Sequence, residues 1–566
     1  MTPSTETHMN AALQTLYSSK DAWVQTSIPE RLQLLDDTFE AIKHTVEDMV
    51  RTSQQQKNIP AGHPGRADDF AFGALLFRQI RLLRRSLREI QTYGRPQAIG
   101  ELTRREDGRW TLPVFPTNTQ DELLYNGITG DLWFRPGLTE QDIRNGQARI
   151  YRSRGHRGRV ALVLGAGNVM ALIPGDFLYK LFVEDRVVVL KMNPVNEYLG
   201  PFIEAAYRPF IARGFLQVVY GDVDEATYLI EHPYVEELHI TGSDKTHDAI
   251  VFGPGEEGAR RKRERNPKMT KRFTSELGNI TPIIVVPGPW SDDDVRMQAN
   301  QIAGQLFVNA GFNCLTPRVI VQHADWPDRD RLNEQIGAML REVPPRDAFY
   351  PGAAQRHAAF IQAHPDALQY GDADSDQLPW TYIPGLDPAQ PDDIAYHTEA
   401  FCSLMTETAL DAPSPADFLD QAVAFVNDTL WGTLTAMIII HPASLEDPAV
   451  NAAYERALAD LRYGTICVNV ASAFGYVTGT TAWGGHAGSD IYDVQSGIGF
   501  VNNLLFFDDN HIQKSVVTAP FQSLINSQST ADSNFARFTE GIMWLEAGAG
   551  LRTTLSFARG IFNPQT

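Results

Sequence analysis

Val160-Ala-Leu-Val-Leu164-Gly-Ala-Gly167-Asn168 is a short apolar run that ends in a glycine turn. The same design recurs downstream. Val187–Leu190, Gln217–Tyr220 and Glu237–Thr241 are further short runs rich in β-branched residues, separated by segments of helical length. Such alternation predicts a parallel sheet with crossover helices, hence an α/β fold. Ligands of these sheets lie where strand C-terminal ends meet helix N-termini. The turn itself fits a dinucleotide fingerprint, G-x-G-x-x-G, only in part, because Met170 stands where the third glycine belongs.

Outward from this stretch the pattern changes on both sides. Leu32, Leu35, Phe39, Ile42, Val46 and Met49 recur at helical spacing, as do Leu76, Ile80, Leu83, Leu87 and Ile90, so the first 95 residues read as helical. Residues 96–150 lose this period and read as loops with short strands. Residues 251–272 interrupt the α/β pattern with a Gly/Pro turn and a basic run, Arg260 to Arg272, read as a solvated loop. A second α/β stretch starts at Thr281, and residues 342–395 look like an irregular insertion. In the tail, Phe535, Phe538, Ile542 and Leu545 form one helical stripe, and Leu551, Leu555, Ala558 and Phe562 form another. Packing on the body or on a neighbouring subunit is expected of them, with contact to a lipid surface as the alternative.

Composition narrows the class. A chain of 566 residues is too long for one simple core. The formal net charge of −20 opposes binding to nucleic acid or anionic lipid. Three cysteines, Cys314, Cys402 and Cys467, none in a CxxC pair, argue against a disulfide framework and a cysteine-held metal, and fit a reducing, cytoplasmic setting. Met1 to Lys20 lacks the apolar core of a signal peptide, and no apolar run is long enough for a spanning helix.

Two segments carry chemistry. Phe307-Val-Asn-Ala-Gly-Phe-Asn-Cys314 sets a cysteine after a glycine-containing turn, where a thiol can be held free for attack. Thr274-Ser-Glu276-Leu-Gly278-Asn leads into the strand Ile283–Val286 and puts a carboxylate at the lip of a sheet. Taken singly, a free cysteine is more often packing and a glutamate before a strand more often surface.

The ordered set, from about residue 25 to about residue 515, resembles the aldehyde dehydrogenase superfamily. Asn168 stands 23 residues before Lys191, Ile240-Thr-Gly242-Ser243 is similar to F-T-G-S, and Glu276-Leu-Gly-Asn to E-L-G-G. Asn309-Ala-Gly-Phe-Asn-Cys314 resembles N-x-G-Q-x-C, Glu399-Ala-Phe401 resembles E-x-F, and Gly464 to Asn469 resembles G-x-x-x-V-N. There are departures: Phe312 replaces a glutamine, Asn279 replaces a glycine, the P-W-N-F-P stretch is reduced to Asn168, and Pro194 lies where many NAD-preferring members carry a glutamate. The chain reads as a divergent member.

The resemblance implies a Rossmann-like coenzyme-binding domain over 1–275, an α/β catalytic domain over 276–480, a return segment with an oligomerisation strand over 481–520, and a helical tail over 521–566. A hairpin near 131–155 would join it in a small β oligomerisation element, giving a homodimer or homotetramer. It implies Cys314 as thiolate nucleophile, the Asn168 side chain and the Cys314 backbone N–H as oxyanion donors, and Glu276 as the base that activates water. Lys191, Gly242, Ser243, Glu399 and Phe401 would hold NAD or NADP: Lys191 at the adenosine ribose, the Gly242–Ser243 turn at the pyrophosphate, Glu399 at the nicotinamide ribose and Phe401 at the ring. No metal is expected. Pro194 and the Arg260–Arg272 run predict that NADP+ is tolerated. Cys402, Cys467, His239 and His486 read as structural. The substrate would be a small aldehyde, aliphatic or aromatic. A CoA-acylating relative and a non-catalytic scaffold on the same fold remain as alternatives.

Overall fold

The computed structural model describes residues 1–152, 155–523 and 534–548. Its core is two sheets. In the six-stranded sheet the order is Gly497–Ile498, Arg272–Leu277, Glu237–Gly242, Val160–Leu164, Val187–Lys191 and Leu216–Val219. All neighbours in it are parallel except the two-residue edge strand, which pairs antiparallel. The β-branched runs are its buried centre: every residue of Val160–Leu164 and Val187–Lys191 is buried.

The second sheet has eleven strands. Ile512–Thr518, Thr465–Val468, Thr435–Ile439, Thr281–Val285, Pro317–His323, Leu404–Leu410 and Trp380–Leu386 run parallel through its middle. The hairpin Trp110–Phe115 and Thr129–Phe134 adds antiparallel to Ile512–Thr518. The chain crosses from one sheet to the other between Leu277 and Thr281, directly after Glu276.

Three long helices, α1 (Glu6–Gln25), α2 (Ile28–Gln56) and α3 (Arg66–Tyr93), open the chain. The apolar stripes read from the sequence are their buried faces, with Leu35, Ile42 and Val46 on α2 and Leu76, Ile80 and Leu83 on α3. Ser27 and Glu30 close a capping box at the start of α2, which fixes where the helix begins.

Several expectations are corrected. The hairpin lies at 110–134, ahead of 131–155. Beyond Phe134 the chain turns helical at Glu140–Gly146, where a Thr139–Asp142 capping box starts a helix instead of a strand. The stretch 342–395 is no irregular insertion: Ala353–Ala363 is a helix, and Trp380–Leu386 is an interior strand whose first four residues are buried. The basic run begins inside a helix, Gly255–Arg263. Its charges find acids nearby, Arg260 with Glu257 and Glu264, Lys262 with Asp248, and Arg272 with Glu184 and Glu237.

The C-terminal helix Asn534–Glu546 packs on α3. Its buried positions are Thr539, Gly541, Met543 and Glu546, while Phe535, Phe538, Ile542 and Leu545 are half-buried. The face that packs is therefore rotated from the apolar stripe. The 551–562 stripe lies outside the described residues. Among the described residues no helix is long and apolar enough to cross a membrane.

Candidate active site

Cys314 sits on the turn between the helix Asp292–Phe307 and the strand Pro317–His323. Three successive residues of that turn are left-handed: Asn309 (φ 52°), Ala310 (φ 53°) and Gly311 (φ 76°). The two non-glycine residues cost roughly 1–2 kcal/mol each in this conformation, so surrounding contacts must hold them. Asn309 Nδ2 donates to the carbonyls of Asn168 (3.0 Å) and Phe312 (3.2 Å), and its backbone N–H donates to Asp68 (2.9 Å). Arg318, buried, donates to the carbonyls of Gly311, Cys402 and Leu404. At Gly311 a Cβ would fall 2.3 Å from the Cys402 carbonyl oxygen, so only glycine fits.

The turn brings the Cys314 thiol to Glu276. The S–H donates to Glu276 Oε1 at 3.2 Å, and the Trp483 indole N–H donates to the same oxygen at 3.0 Å. Burial raises the Glu276 carboxyl to about 8, against the lowering effect of those two donors. Burial also pushes the Cys314 thiol well above its ordinary range, and the neighbouring Glu276 charge adds to this. The resting thiol is thus neutral, and the Glu276 carboxyl beside it ionises only above about 8. Any thiolate at Cys314 therefore has to form as its proton leaves, with Glu276 the group in contact.

Asn168 follows the strand Val160–Leu164 and reaches the same turn, with Nδ2 donating to the Phe312 carbonyl at 2.9 Å. That uses one of its two amide hydrogens. Around the sulfur, half-buried Leu75, Leu172 and Leu315 join buried Leu434, Tyr476, Trp483 and Val501 in one apolar cluster. The wall in front of the thiol is apolar.

The remaining sequence candidates lie along the C-terminal edge of the six-stranded sheet or close to it. Lys191 ends the strand Val187–Lys191, is 7% exposed, and has no hydrogen-bond or ion-pair partner among the described residues. Gly242 ends the strand Glu237–Gly242, on the far side of Val160–Leu164 from Lys191, and Ser243 caps the helix Asp244–Phe252 by accepting from the Thr246 N–H. Glu399, raised to about 7 by burial, accepts from the Asn279 N–H at 3.2 Å. Gly278 passes so close that a Cβ there would lie 2.1 Å from Glu399 Oε2. Phe401 (φ 40°) packs against Tyr350 and Phe312.

The departures in the motifs have physical content. Phe312 joins an aromatic cluster with Phe349 and Tyr350, both from the segment after Arg346. Asn279 donates to Thr281 Oγ1 (2.9 Å) and the Thr435 carbonyl (2.8 Å) and accepts from the Leu434 N–H. It ties adjacent strands together where a glycine could not. Cys402 and Cys467 are wholly buried, and burial raises their thiols to about 11 and 12. Sequence reading missed Trp483 and Arg318. An arginine inside the apolar strand Pro317–His323 was a readable signal. Trp483, in a glycine-rich loop, offered little.

The model of the aldehyde dehydrogenase family matches residues 187–354. An aminoacetaldehyde dehydrogenase of Pseudomonas aeruginosa is 26% identical over 53% of this chain and 56% of its own length. The chain spans about half the length of such curated relatives. Among solved structures, an NAD-dependent aldehyde dehydrogenase from Sinorhizobium meliloti superposes with a TM-score of 0.59 at 19% identity, over 91% of this chain and 88% of that one. Glyceraldehyde-3-phosphate dehydrogenase from Methanocaldococcus jannaschii, solved with NADP, gives 0.61 at 14%, over 92% and 96%. The fold of these aldehyde dehydrogenases is thus shared over nine-tenths of the chain, and the aldehyde dehydrogenase family model matches its middle part.

Proposed function

We propose that the protein oxidises a neutral, apolar aldehyde to the carboxylic acid, with NAD+ as the preferred oxidant and Cys314 as nucleophile. One observation carries this reading: the Cys314 thiol donates to Glu276 at 3.2 Å, a nucleophile in contact with its base. As the sulfur attacks the carbonyl, its proton passes to Glu276. The second Asn168 amide hydrogen and the Cys314 backbone N–H are the donors available to the oxyanion. After the thioester forms, Glu276 gives up that proton to solvent and then takes one from water; hydroxide adds to the acyl carbon, and the sulfur leaves, regaining its proton from Glu276. The leucine wall suits an aliphatic or aromatic chain.

The residues present fit a nicotinamide dinucleotide: the Lys191 ammonium is buried without a partner among the described residues, Ser243 opens a helix, and Gly278 lets the Glu399 carboxylate pack against the backbone there. Lys191 would hold the adenosine ribose, the Ser243 turn the pyrophosphate, and Glu399 the nicotinamide ribose, with the six-stranded sheet as the coenzyme-binding unit. When bound, the cofactor accepts the hydride that leaves the substrate carbon.

The test is an aldehyde panel read by NADH and NADPH formation, with and without CoA. Turnover of hexanal or benzaldehyde without CoA supports the reading. Turnover only with CoA favours the acylating alternative, and none with any aldehyde favours a scaffold. The Glu276 contact favours hydrolysis.

Cofactor choice is a separate prediction. Burial lowers the Lys191 pKa, and the acids Asp222, Glu225 and Glu197 oppose that shift. The basic run is spent on its own ion pairs. A 2′-phosphate would thus meet an acidic field, against the tolerance expected from Pro194. NAD+ should bind more tightly than NADP+ by about tenfold or more, roughly 1.4 kcal/mol, measured by tryptophan quenching. Equal affinities would refute this, and Glu225→Gln should narrow the gap.

A further inference from the structure

The C-terminal helix Asn534–Glu546 delivers a wholly buried carboxylate to α3. Glu546 is 1% exposed. Its Oε1 accepts from Arg78 Nη1 at 2.8 Å and from Arg81 Nη2 at 3.1 Å, and its Oε2 accepts from Arg81 Nε at 2.8 Å. Asp121, also buried, accepts from Arg78 at 2.8 Å. Two guanidinium groups thus face two carboxylates. Taking one carboxylate away leaves buried charge unbalanced, which a low-dielectric interior tolerates poorly.

Arg78 is bound on its other side to the active-site layer. Its Nε donates to the Val477 carbonyl (2.7 Å) and its Nη2 to the Thr478 carbonyl (2.9 Å). One residue on, Gln79 donates to the Tyr476 hydroxyl at 2.9 Å. Tyr476 meets Trp483 edge-on at 5.9 Å, and Trp483 donates to Glu276. α3 also contributes Leu75 to the wall beside Cys314. A continuous run of short contacts therefore leads from the tail to the carboxylate that touches the thiol. Packing reinforces it: Met543 is fully buried, and a Cβ on Gly73 of α3 would lie 2.6 Å from its sulfur.

We propose that Glu546 is a positioning residue for Glu276: by closing the Arg78–Arg81–Asp121 cluster it fixes the 476–483 segment, so that Trp483 keeps Glu276 in register with Cys314. The inference rests on the reading of Cys314 and Glu276 as nucleophile and base. It makes the C-terminal helix part of the catalytic support rather than an appendage.

The test uses full-length Glu546→Gln, with Met543→Ala as a second variant that loosens the helix without touching a charge. The first readout needs neither aldehyde nor cofactor: the rate and pH profile of Cys314 alkylation by iodoacetamide, followed by mass spectrometry. Both variants should show a displaced pH profile of Cys314 alkylation, because the contact with Glu276 that sets the thiol's ionisation is loosened, while Cys402 and Cys467 stay unlabelled. The second readout is turnover. kcat should fall by up to about 10²-fold while KM changes little, as when a reacting group is misplaced by about 1 Å. A folded Glu546→Gln protein with a lower melting temperature but an unchanged alkylation profile and kcat would overturn the proposal. If Glu546→Gln does not fold, Met543→Ala decides: a shifted profile supports the proposal and an unshifted one overturns it. If alkylation responds in the variants but the wild type oxidises no aldehyde, the positioning role stands and the functional reading falls.

Discussion

Cys314→Ser should abolish aldehyde oxidation, with neither steady turnover nor a first burst of NADH. The thiol is the sulfur in contact with Glu276, and the other two cysteines are wholly buried. A serine hydroxyl in the same place has no comparable anionic fraction at neutral pH, and burial disfavours an alkoxide as it disfavours a thiolate. The loss should appear at the first chemical step, while NAD+ binding, measured by tryptophan quenching, stays near that of the wild type. A variant that still released NADH at more than a trace would remove Cys314 from the mechanism.

Glu276→Gln should slow steady turnover by about 10²–10⁴-fold, the usual contribution of a general base. The amide keeps the shape of the side chain and can still accept from Trp483. It cannot take a proton from the thiol or from water. One burst of NADH per site should therefore survive but rise slowly near neutrality, and the acyl group should stay on Cys314, visible by intact-protein mass spectrometry. The pH dependence gives a second check. Burial raises the Glu276 carboxyl to about 8, so it is protonated and idle below that value, and wild-type kcat should fall as pH drops through it. This limb should vanish in Glu276→Gln. Full turnover of the variant without CoA would show that Glu276 is not the base.

How much of this was legible in the sequence depends on the residue. Strands buried on both faces announce themselves, and Val160–Leu164 and Val187–Lys191 are such strands. The helical stripes of α2 and α3 were equally plain. Order and spacing pointed to Cys314, Glu276 and Asn168 only through the resemblance to a family, since each segment read alone suggests packing or surface. What sequence could not supply was distance. That Glu276 touches the thiol, and that Trp483 holds it there, depends on the crossing between two sheets and on a loop more than 200 residues away. The segment 342–395 misled because its turn residues hide a strand. Packing of the tail was expected and the helix Asn534–Glu546 does pack on α3, but its buried face includes a charged residue, Glu546, which an apolar stripe cannot reveal.

The apolar wall and the acids behind it also bear on how the reaction ends. The acids that act on Cys314 are Glu276 and Glu399, Glu276 in turn feels Asp176, and Arg318 is a cation that also interacts with Cys314. Arg318, the buried cation of this region, has its bonded donors turned to backbone carbonyls. An uncharged aldehyde enters such a chamber without electrostatic cost. The carboxylate it becomes meets the like charges of Glu276 and Glu399, in surroundings too dry to screen them, while the bonded donors of Arg318 are held by the backbone. Product inhibition should accordingly be weak, and reversal disfavoured at binding as well as in the chemistry: the chamber admits its substrate and repels what it makes.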